Sequence, residues 1–269
     1  MLQLFKIEWL KIKTYRTFWI LFGTFLLFFP VSFFIIARKF MESFSAKNTS
    51  MQEAMIKGMM GNPFNFPTVW HTSAWMGGLF FIIIGMLFIM LITNEVQYRT
   101  HRQNIIDGWS RMDFLKAKAS LLIFFVLCST ILVFITAIIT GFIYNDGTTN
   151  IFEGAQYVLY FALMATVYLI VAYFIAIFIK RTGLAIIIYF ALVCIIDNML
   201  WAGLTFRGTQ LGYFLPLESV DSLVPNPFTK KMINRRRVDD WALVVTGLGY
   251  IVLIGYTIKN KFLKTDLKT

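Results

Sequence analysis

Six long apolar runs, separated by shorter polar intervals, make up most of this chain. Each run is close to the roughly 20 residues that a helix needs to cross the hydrocarbon core of a membrane, and none alternates like a membrane β-strand. Because lipid cannot satisfy backbone polar groups, the pattern predicts an all-α membrane protein, with a single transmembrane domain over residues 1–269. We expect its transmembrane helices at 18–36, 74–93, 119–143, 157–179, 184–204 and 241–258.

Composition supports this class. The chain is 58% hydrophobic and 14% charged, whereas a soluble domain carries roughly 25% charged residues. The net charge of +11 is explained by membrane topology and attraction to lipid head groups, so we expect membrane lipids and no nucleic acid as partners. The cysteines fall inside predicted spans and the two histidines on opposite sides of the membrane, so the sequence predicts neither metal ligands nor catalytic residues.

An even number of spans places both termini on the same side of the membrane. That side carries 15 Lys and Arg residues and the other carries 10, so the positive-inside rule predicts cytoplasmic termini. The basic cluster at 230–237 then lies outside, just before the last span. It could bind anionic head groups or an anionic substrate, or it could be a solvated loop neutralised by Asp239 and Asp240.

Two flanking regions have their own patterns. Residues 1–16 predict an interfacial amphipathic helix on the inner leaflet, with a plain extension of the first span as the alternative. Its apolar face consists of Leu2, Phe5, Trp9 and Ile12, and Lys6, Glu8 and Lys13 lie away from it. The 205–240 segment is an irregular outer insertion, which leaves open whether short helices in it return into the membrane.

The polar interval at 94–118 is the most unusual connector, with five Lys/Arg and three Asp/Glu. If the second span continues as a helix, Glu95, Arg99 and Arg102 project along one face. Gly108 permits a break, after which Ser110 can cap a new helix with Asp113 at its N3 position. The interval therefore predicts a helical elbow, and a solvated loop that only enforces topology is the alternative.

Asp197 is the one carboxylate well inside a predicted span, and Asn198 follows it. A charge at that depth needs a partner or an aqueous or protein environment. The pair could line a pathway, or Asp197 could make a fold-stabilising contact, for instance with Arg207. The sequence has no nucleotide-binding GxxxxGK[ST] motif, and these two residues alone do not make an intramembrane enzyme. Gly77, Gly78 and Gly85 in the second span predict close helix packing.

The connector resembles that of the type-2 permease family of ATP-binding-cassette transporters. The resemblance is carried by Glu95 at the end of the second span, the Thr100-His101-Arg102 triplet, Ser110-Arg111, and Lys116 and Lys118 before the third span. The extended form RQNIIDGWSR, together with NPFNFPTVWHT in the outer loop, is similar to permeases of Bacteroidetes-type bacteria.

The resemblance implies a permease of a bacterial cytoplasmic-membrane exporter. Two copies, identical or closely related, would form the pathway, and two separately encoded ATPase subunits would bind ATP and Mg²⁺. The ATPase-coupling residues would be Glu95, Arg99, Arg102, Asp107, Ser110 and Arg111. In a rival interpretation, Glu95 and Arg99 brace the elbow internally. A non-transporting anchor or assembly factor of a secretion or motility complex is the alternative function, and the substrate stays open.

Overall fold

Helices form all the regular structure in the part of the chain that the computed structural model describes, residues 2–45, 62–98, 110–145, 147, 150–228 and 238–264. A π-helical turn at Leu192–Ile196 joins two of the helices, and a 3₁₀ helix at Leu211–Phe214 precedes a short one. The α-helices are α1 (Leu2–Ile12), α2 (Arg16–Ser45), α3 (Val69–Gln97), α4 (Arg111–Ile143), α5 (Gln156–Phe178), α6 (Thr182–Ala191), α7 (Asp197–Phe206), α8 (Glu218–Asp221) and α9 (Asp240–Lys264). The predicted all-α class is confirmed.

Six helical segments in the described ranges are long and apolar enough to cross a membrane, which confirms the predicted number of spans. They are Arg16–Ser43, Val69–Gln97, Met112–Ile143, Gln156–Phe178, Thr182–Phe206 and Asp240–Phe262. Most of these helices extend beyond the apolar runs, because backbone hydrogen bonding continues where the side chains turn polar. The protein is therefore a multi-pass membrane protein whose fifth span is α6, the π-helical turn and α7.

Helices α3 and α5 lie at the centre of the bundle. In each of them 61% of the most apolar window is buried inside the protein, compared with 17% in α9. Helix α3 packs against α2, α4, α5 and α6, whereas α9 packs mainly on α5. Residues along α3 can therefore contact four other spans.

Glycines allow the closest helix contacts of α3, as the sequence predicts. A Cβ atom at Gly77 would lie 2.6 Å from Val133 Cγ2 of α4, and one at Gly85 would overlap the phenol of Tyr189 in α6. A Cβ at Gly78 would meet only the flexible end of Met164. Gly85 therefore sets the spacing between the second and fifth spans.

Replacing Gly85 with Ala is expected to lower the free energy of unfolding by about 1 to 3 kcal/mol, the usual cost of overpacking a rigid neighbour. Tyr189 is fully buried and cannot simply rotate out of the way. The measurement is thermal or denaturant unfolding of the purified protein in detergent. Gly23→Ala is the matched control, because nothing lies near its added Cβ. Equal stability of the two variants would contradict the packing role.

The insertion after the fifth span returns into the bundle. The Tyr168 hydroxyl, near the middle of α5, donates to Asp221 Oδ2 at 2.8 Å, and the Tyr250 hydroxyl of α9 donates to the Phe214 carbonyl at 2.8 Å. Val220 and Leu223 are buried beside them. The described part of the predicted 205–240 insertion thus packs between spans, and the basic cluster at 230–237 lies outside the described residues.

Candidate functional site

Four charged side chains meet where the end of α3 and the beginning of α4 contact α1. Lys118 Nζ lies 2.7 Å from Glu95 Oε1 and also pairs with Glu8 Oε2. Lys11 Nζ lies 3.1 Å from Glu8 Oε1 and 3.6 Å from Glu95 Oε1. The side chains of Glu8 and Lys118 are each only 1% exposed. We call these four residues the charge cluster.

The charge cluster is stable only because its charges are paired, since an isolated buried charge is very costly. Burial opposes ionisation of Glu8, but attraction by Lys118 and then by Lys11 holds the pKa of this carboxyl below its ordinary value. The two carboxylates and two ammonium groups of the charge cluster balance formally to zero, so the cluster ties three helices together without a net charge of its own.

The sequence around each member explains why the cluster forms. The Ser110 hydroxyl accepts from the Asp113 N–H at 3.1 Å, and the Ser110 N–H donates to Asp113 Oδ2 at 3.1 Å. This is the predicted capping box, and its cap residue Ser110 lies eight residues before Lys118. Helix α1 is fixed against α4 by Phe5 and Trp9, whose rings pack on Phe124 at centroid distances of 5.5 and 5.4 Å.

The prediction that Glu8 lies away from the packed face of α1 is wrong, because Glu8 is fully buried. Amphipathic patterning assigns every charge to the outer face, whereas Lys118 provides a buried partner on α4. Whether α1 lies at the membrane interface stays a prediction.

A chain of neutral hydrogen bonds fixes the same end of α3 to two further elements. The Thr93 hydroxyl donates to Thr182 Oγ1 at 2.9 Å, and the Thr182 hydroxyl donates to Asn94 Oδ1 at 3.2 Å. Asn94 Nδ2 then donates to the Tyr15 hydroxyl at 2.9 Å. The last turns of α3 are thereby joined to the start of α6 and to the link between α1 and α2.

The structure describes only part of the predicted coupling set. Glu95 belongs to the charge cluster, Ser110 caps α4, and Arg111 is the first residue of α4, with its side chain outside the described part. Arg99, Arg102 and Asp107 lie outside the described residues. A contact of these residues with an ATPase stays a prediction. The position of Glu95 favours the rival brace for this residue, with Lys118 and Lys11 as its partners.

Sequence reasoning did not assign roles to Glu8, Lys11 and Lys118 in the charge cluster. A signal for Lys118 was present, because it lies four residues after Phe114 and seven before Phe125, on a helical face that is apolar and buried. A lysine on such a face needs a carboxylate from another helix.

A cavity of about 750 Å³ lies near the other end of α3. Its walls include three carboxylates, Glu218, Asp221 and Asp240, and we call it the acid cavity. Aromatic and sulfur-containing side chains form much of the remaining wall. They are Trp75, Tyr157, Met164, Tyr168, Cys194, Trp201 and Tyr213.

Each of the three carboxylates has a hydroxyl neighbour. The Tyr168 hydroxyl bonds Asp221, the Ser222 hydroxyl donates to Glu218 Oε1 at 2.7 Å, and the Tyr160 hydroxyl donates to Asp240 Oδ2 at 3.4 Å. Burial raises the pKa of Glu218 to about 7 and also raises the pKa of Asp221. Glu218 therefore changes its charge near neutral pH.

The π-helical turn places Asp197 and Asn198 differently. Asn198 lines the acid cavity, and its Nδ2 donates to the Val193 carbonyl at 3.2 Å. Asp197 is 5% exposed, and its carboxylate faces the backbone N–H groups of Leu217 and Glu218 at the start of α8. The suggested pairing with Arg207 is not present between these two described residues. The position of Asp197 favours the fold-stabilising alternative, and a pathway role stays a prediction.

Metal-ligand groups were sought throughout the described ranges, and no set of three or more His, Cys, Asp or Glu residues there could hold a metal ion. His71 stacks on Tyr157 with ring centroids 4.3 Å apart. Cys128 and Cys194 are free thiols rather than a disulfide. The described chemistry is therefore that of charge pairing and of an acidic, aromatic cavity.

Comparison with known families gives one match. The model of a family described as "ABC-2 family transporter protein" matches residues 4–196, from α1 to the last residue of the π-helical turn. The matched region contains the whole charge cluster and ends one residue before Asp197. No curated protein matches the chain.

Proposed function

Because the chain belongs to the ABC-2 family of transporter proteins, which suggests a permease subunit, we propose that it is the membrane-spanning subunit of an ATP-binding-cassette exporter. Two copies form the pathway in the bacterial cytoplasmic membrane. A separately encoded pair of ATPase subunits binds ATP and Mg²⁺ and drives transport through the 94–118 segment. The observation that carries this proposal is the ion pair between Glu95 and Lys118.

Glu95 and Lys118 stand at the two ends of the 94–118 segment. Their pairing joins the second span to the third, and Glu8 and Lys11 extend the joint to α1. A force on a connector moves the attached helices only if the base of the connector, where it joins those helices, is rigid. A base held by buried ion pairs meets this requirement, which a loop that merely reverses the chain direction does not need.

The segment between these ends provides the contact with the ATPase in our proposal. Arg99, Arg102, Asp107 and Arg111 are four of its six charged residues beyond the charge cluster in the sequence, and Ser110 orients the start of α4. The ATPase must bind this segment differently in its two nucleotide states. A binding partner shifts a conformational equilibrium only by the difference in its affinity for the two conformations.

Helix α1 and the end of α9 lie on the side of the bundle where α4 begins. Phe114 at the start of α4 stacks on Phe262 near the end of α9, with ring centroids 5.2 Å apart, and α1 packs on α4. An ATPase docked there is cytoplasmic, so the proposal places both termini in the cytoplasm, in agreement with the distribution of basic residues.

Charge reversal tests the docking. In tagged permease purified from its native host, Arg102→Glu and Arg111→Glu are each expected to remove most of the Mg²⁺-dependent ATP hydrolysis that co-purifies with the wild type, because an interfacial basic residue becomes a repelled acid. Lys39→Glu is the matched control, an exposed lysine near the end of α2 that lies away from α1. Unfolding temperatures of all variants are compared. ATPase retained by both arginine variants at the wild-type level would refute docking at this segment.

A further inference from the structure

We propose that the π-helical turn in the fifth span is a hinge, about which the outer end of that span and the insertion move together to open and close the acid cavity. We call the moving part, residues 197–228, the outer unit. The inference rests on the proposed function only for its consequence, that this movement releases a substrate on the outer side. The movement itself belongs to this chain and can be measured without the ATPase.

The two halves of the fifth span pack on different partners. Helix α6 packs on α3 and α5, and its fully buried Tyr189 ring lies against Gly85 of α3. Helix α7 packs mainly on the 3₁₀ helix, which belongs to the insertion. The π-helical turn at Leu192–Ile196 lies where one set of partners ends and the other begins. A change of angle at this turn therefore moves α7 while α6 stays on α3.

The turn has the local structure of a hinge. Its backbone hydrogen bonds enclose one residue more than those of an α-helix, and such turns are a common cause of helix kinks. The Asn198 side chain supports the turn, because its Nδ2 donates to the Val193 carbonyl at 3.2 Å. This bond links the turn to α7 through a flexible side chain, which can follow the carbonyl while the two helices change their angle.

Contacts within the outer unit make it move as one body. The Asp197 carboxylate at the start of α7 faces the N–H groups of Leu217 and Glu218 at the start of α8. One helical turn further along α7, the Trp201 ring contacts the Tyr213 ring of the 3₁₀ helix, with centroids 6.3 Å apart. Because α7 is held to the insertion at both places, a rotation of α7 carries the insertion with it.

The acid cavity lies between the outer unit and the rest of the bundle. Trp75 and Gly78 of α3 and Met164 of α5 line one part of its wall, and Asn198 and Trp201 of α7 line another. These two parts of the wall move relative to each other when the outer unit turns about the hinge. The volume of the cavity, about 750 Å³ in this conformation, therefore depends on the hinge angle.

Two phenol hydroxyls hold the outer unit in its present position. Tyr168 of α5 donates to Asp221 Oδ2, and Tyr250 of α9 donates to the Phe214 carbonyl, each at 2.8 Å. Both bonds join another span to the outer unit, and neither lies inside it. Movement about the hinge must break or stretch these two bonds, so they act as latches on the closed conformation.

The reactivity of a cysteine in the cavity measures its opening. Met164→Cys places this reporter on α5, one turn before Tyr168 and on a different helix from the hinge, in a chain whose two native cysteines are replaced by alanine. In phosphatidylcholine nanodiscs, the rate of reaction with a bulky hydrophilic maleimide is divided by the rate with small iodoacetamide. Tyr168→Phe is expected to raise this ratio about tenfold, the usual effect of losing one hydrogen bond to a charged group. Tyr256→Phe, the same change at an exposed position of α9, should leave the ratio unchanged.

Shortening the turn tests whether it is the hinge. Deletion of Ile195, a half-exposed residue of the turn, removes the additional residue and restores a continuous α-helix. In this background Tyr168→Phe should no longer raise the ratio, because α7 cannot turn relative to α6. Asn198→Ala in the full-length turn should raise the ratio about threefold, because the turn loses one neutral hydrogen bond. Unfolding temperatures show which variants are folded.

Three results would overturn the inference. If Tyr168→Phe and Tyr256→Phe gave the same ratio, the Tyr168 bond would not hold the cavity closed. If the Ile195 deletion folded and Tyr168→Phe still raised the ratio in it, the movement would not use the turn. If the deletion did not fold, an unchanged ratio in Asn198→Ala would exclude the turn as the hinge. Loss of co-purifying ATPase in the docking test has no bearing on these rates, so the two proposals can fail separately.

Discussion

Replacement of Lys118 with Met is expected to lower the free energy of unfolding by about 3 to 5 kcal/mol, because removing one partner of a buried ion pair leaves an uncompensated charge in the interior. Methionine retains the length and flexibility of the side chain, so little of this loss would come from packing. Lys118 is shared by Glu8 and Glu95. The variant leaves Lys11 as the only described cation beside two carboxylates, and Lys11 is 32% exposed.

Unfolding of purified variants in detergent measures this loss. Lys116→Met is the matched control, because Lys116 is exposed two residues earlier on the same helix and a surface substitution usually changes stability by less than about 0.5 kcal/mol. The double variant Glu8→Gln with Lys118→Met should recover part of the lost free energy of unfolding, because one of the two carboxylates that paired with Lys118 is replaced by a neutral amide. If Lys118→Met were as stable as Lys116→Met, the ion pairs would contribute nothing and the rigid base of the 94–118 segment would lose its support.

The spans and their caps could be predicted from the sequence because they depend on local properties. A run of about 20 apolar residues suffices to predict a spanning helix, and Ser110 and Asp113 are close enough in sequence to form a capping box on their own. The packing role of Gly77 and Gly85 was predictable for a similar reason, because a missing side chain in a central span allows another helix to approach.

The charge cluster could not be predicted in the same way, because its members come together only after packing. Glu8 and Lys118 are 110 residues apart in sequence, and nothing local to Glu8 distinguishes a buried charge from a solvated one. Its expected outward position followed from a rule that holds for isolated helices and fails when α4 supplies a cation.

The acid cavity depends on the insertion that follows the fifth span. Its prolines predict irregular structure, but irregular structure does not specify where Glu218 and Asp221 point. Tyr168 and Tyr250 determine this placement by hydrogen bonding Asp221 and the Phe214 carbonyl. The surroundings of Asp197 were missed for the same reason, because this carboxylate is in a span and the N–H groups that it faces belong to the insertion.

Replacement of Asp197 with Ala should therefore weaken the junction between the fifth span and the insertion. The N–H groups of Leu217 and Glu218 would lose the carboxylate that they face, and a buried polar group left without a favourable partner costs about 1 to 3 kcal/mol. We expect a loss of about 2 to 4 kcal/mol in the free energy of unfolding. Hydrogen exchange should also become faster at the amides of Leu217 and Glu218, which separates loss of this junction from a general loss of stability.

Asp197→Asn is the informative comparison, because it removes the charge but retains one side-chain oxygen as an acceptor. It should destabilise the protein less than Asp197→Ala does, and export should survive in the folded variant. An asparagine variant as unstable as the alanine variant would mean that the charge, not the acceptor geometry, stabilises the junction. If the asparagine variant were fully folded but no longer exported, Asp197 would instead belong to the pathway. A residue that only holds the insertion in place should affect export only when stability is lost as well.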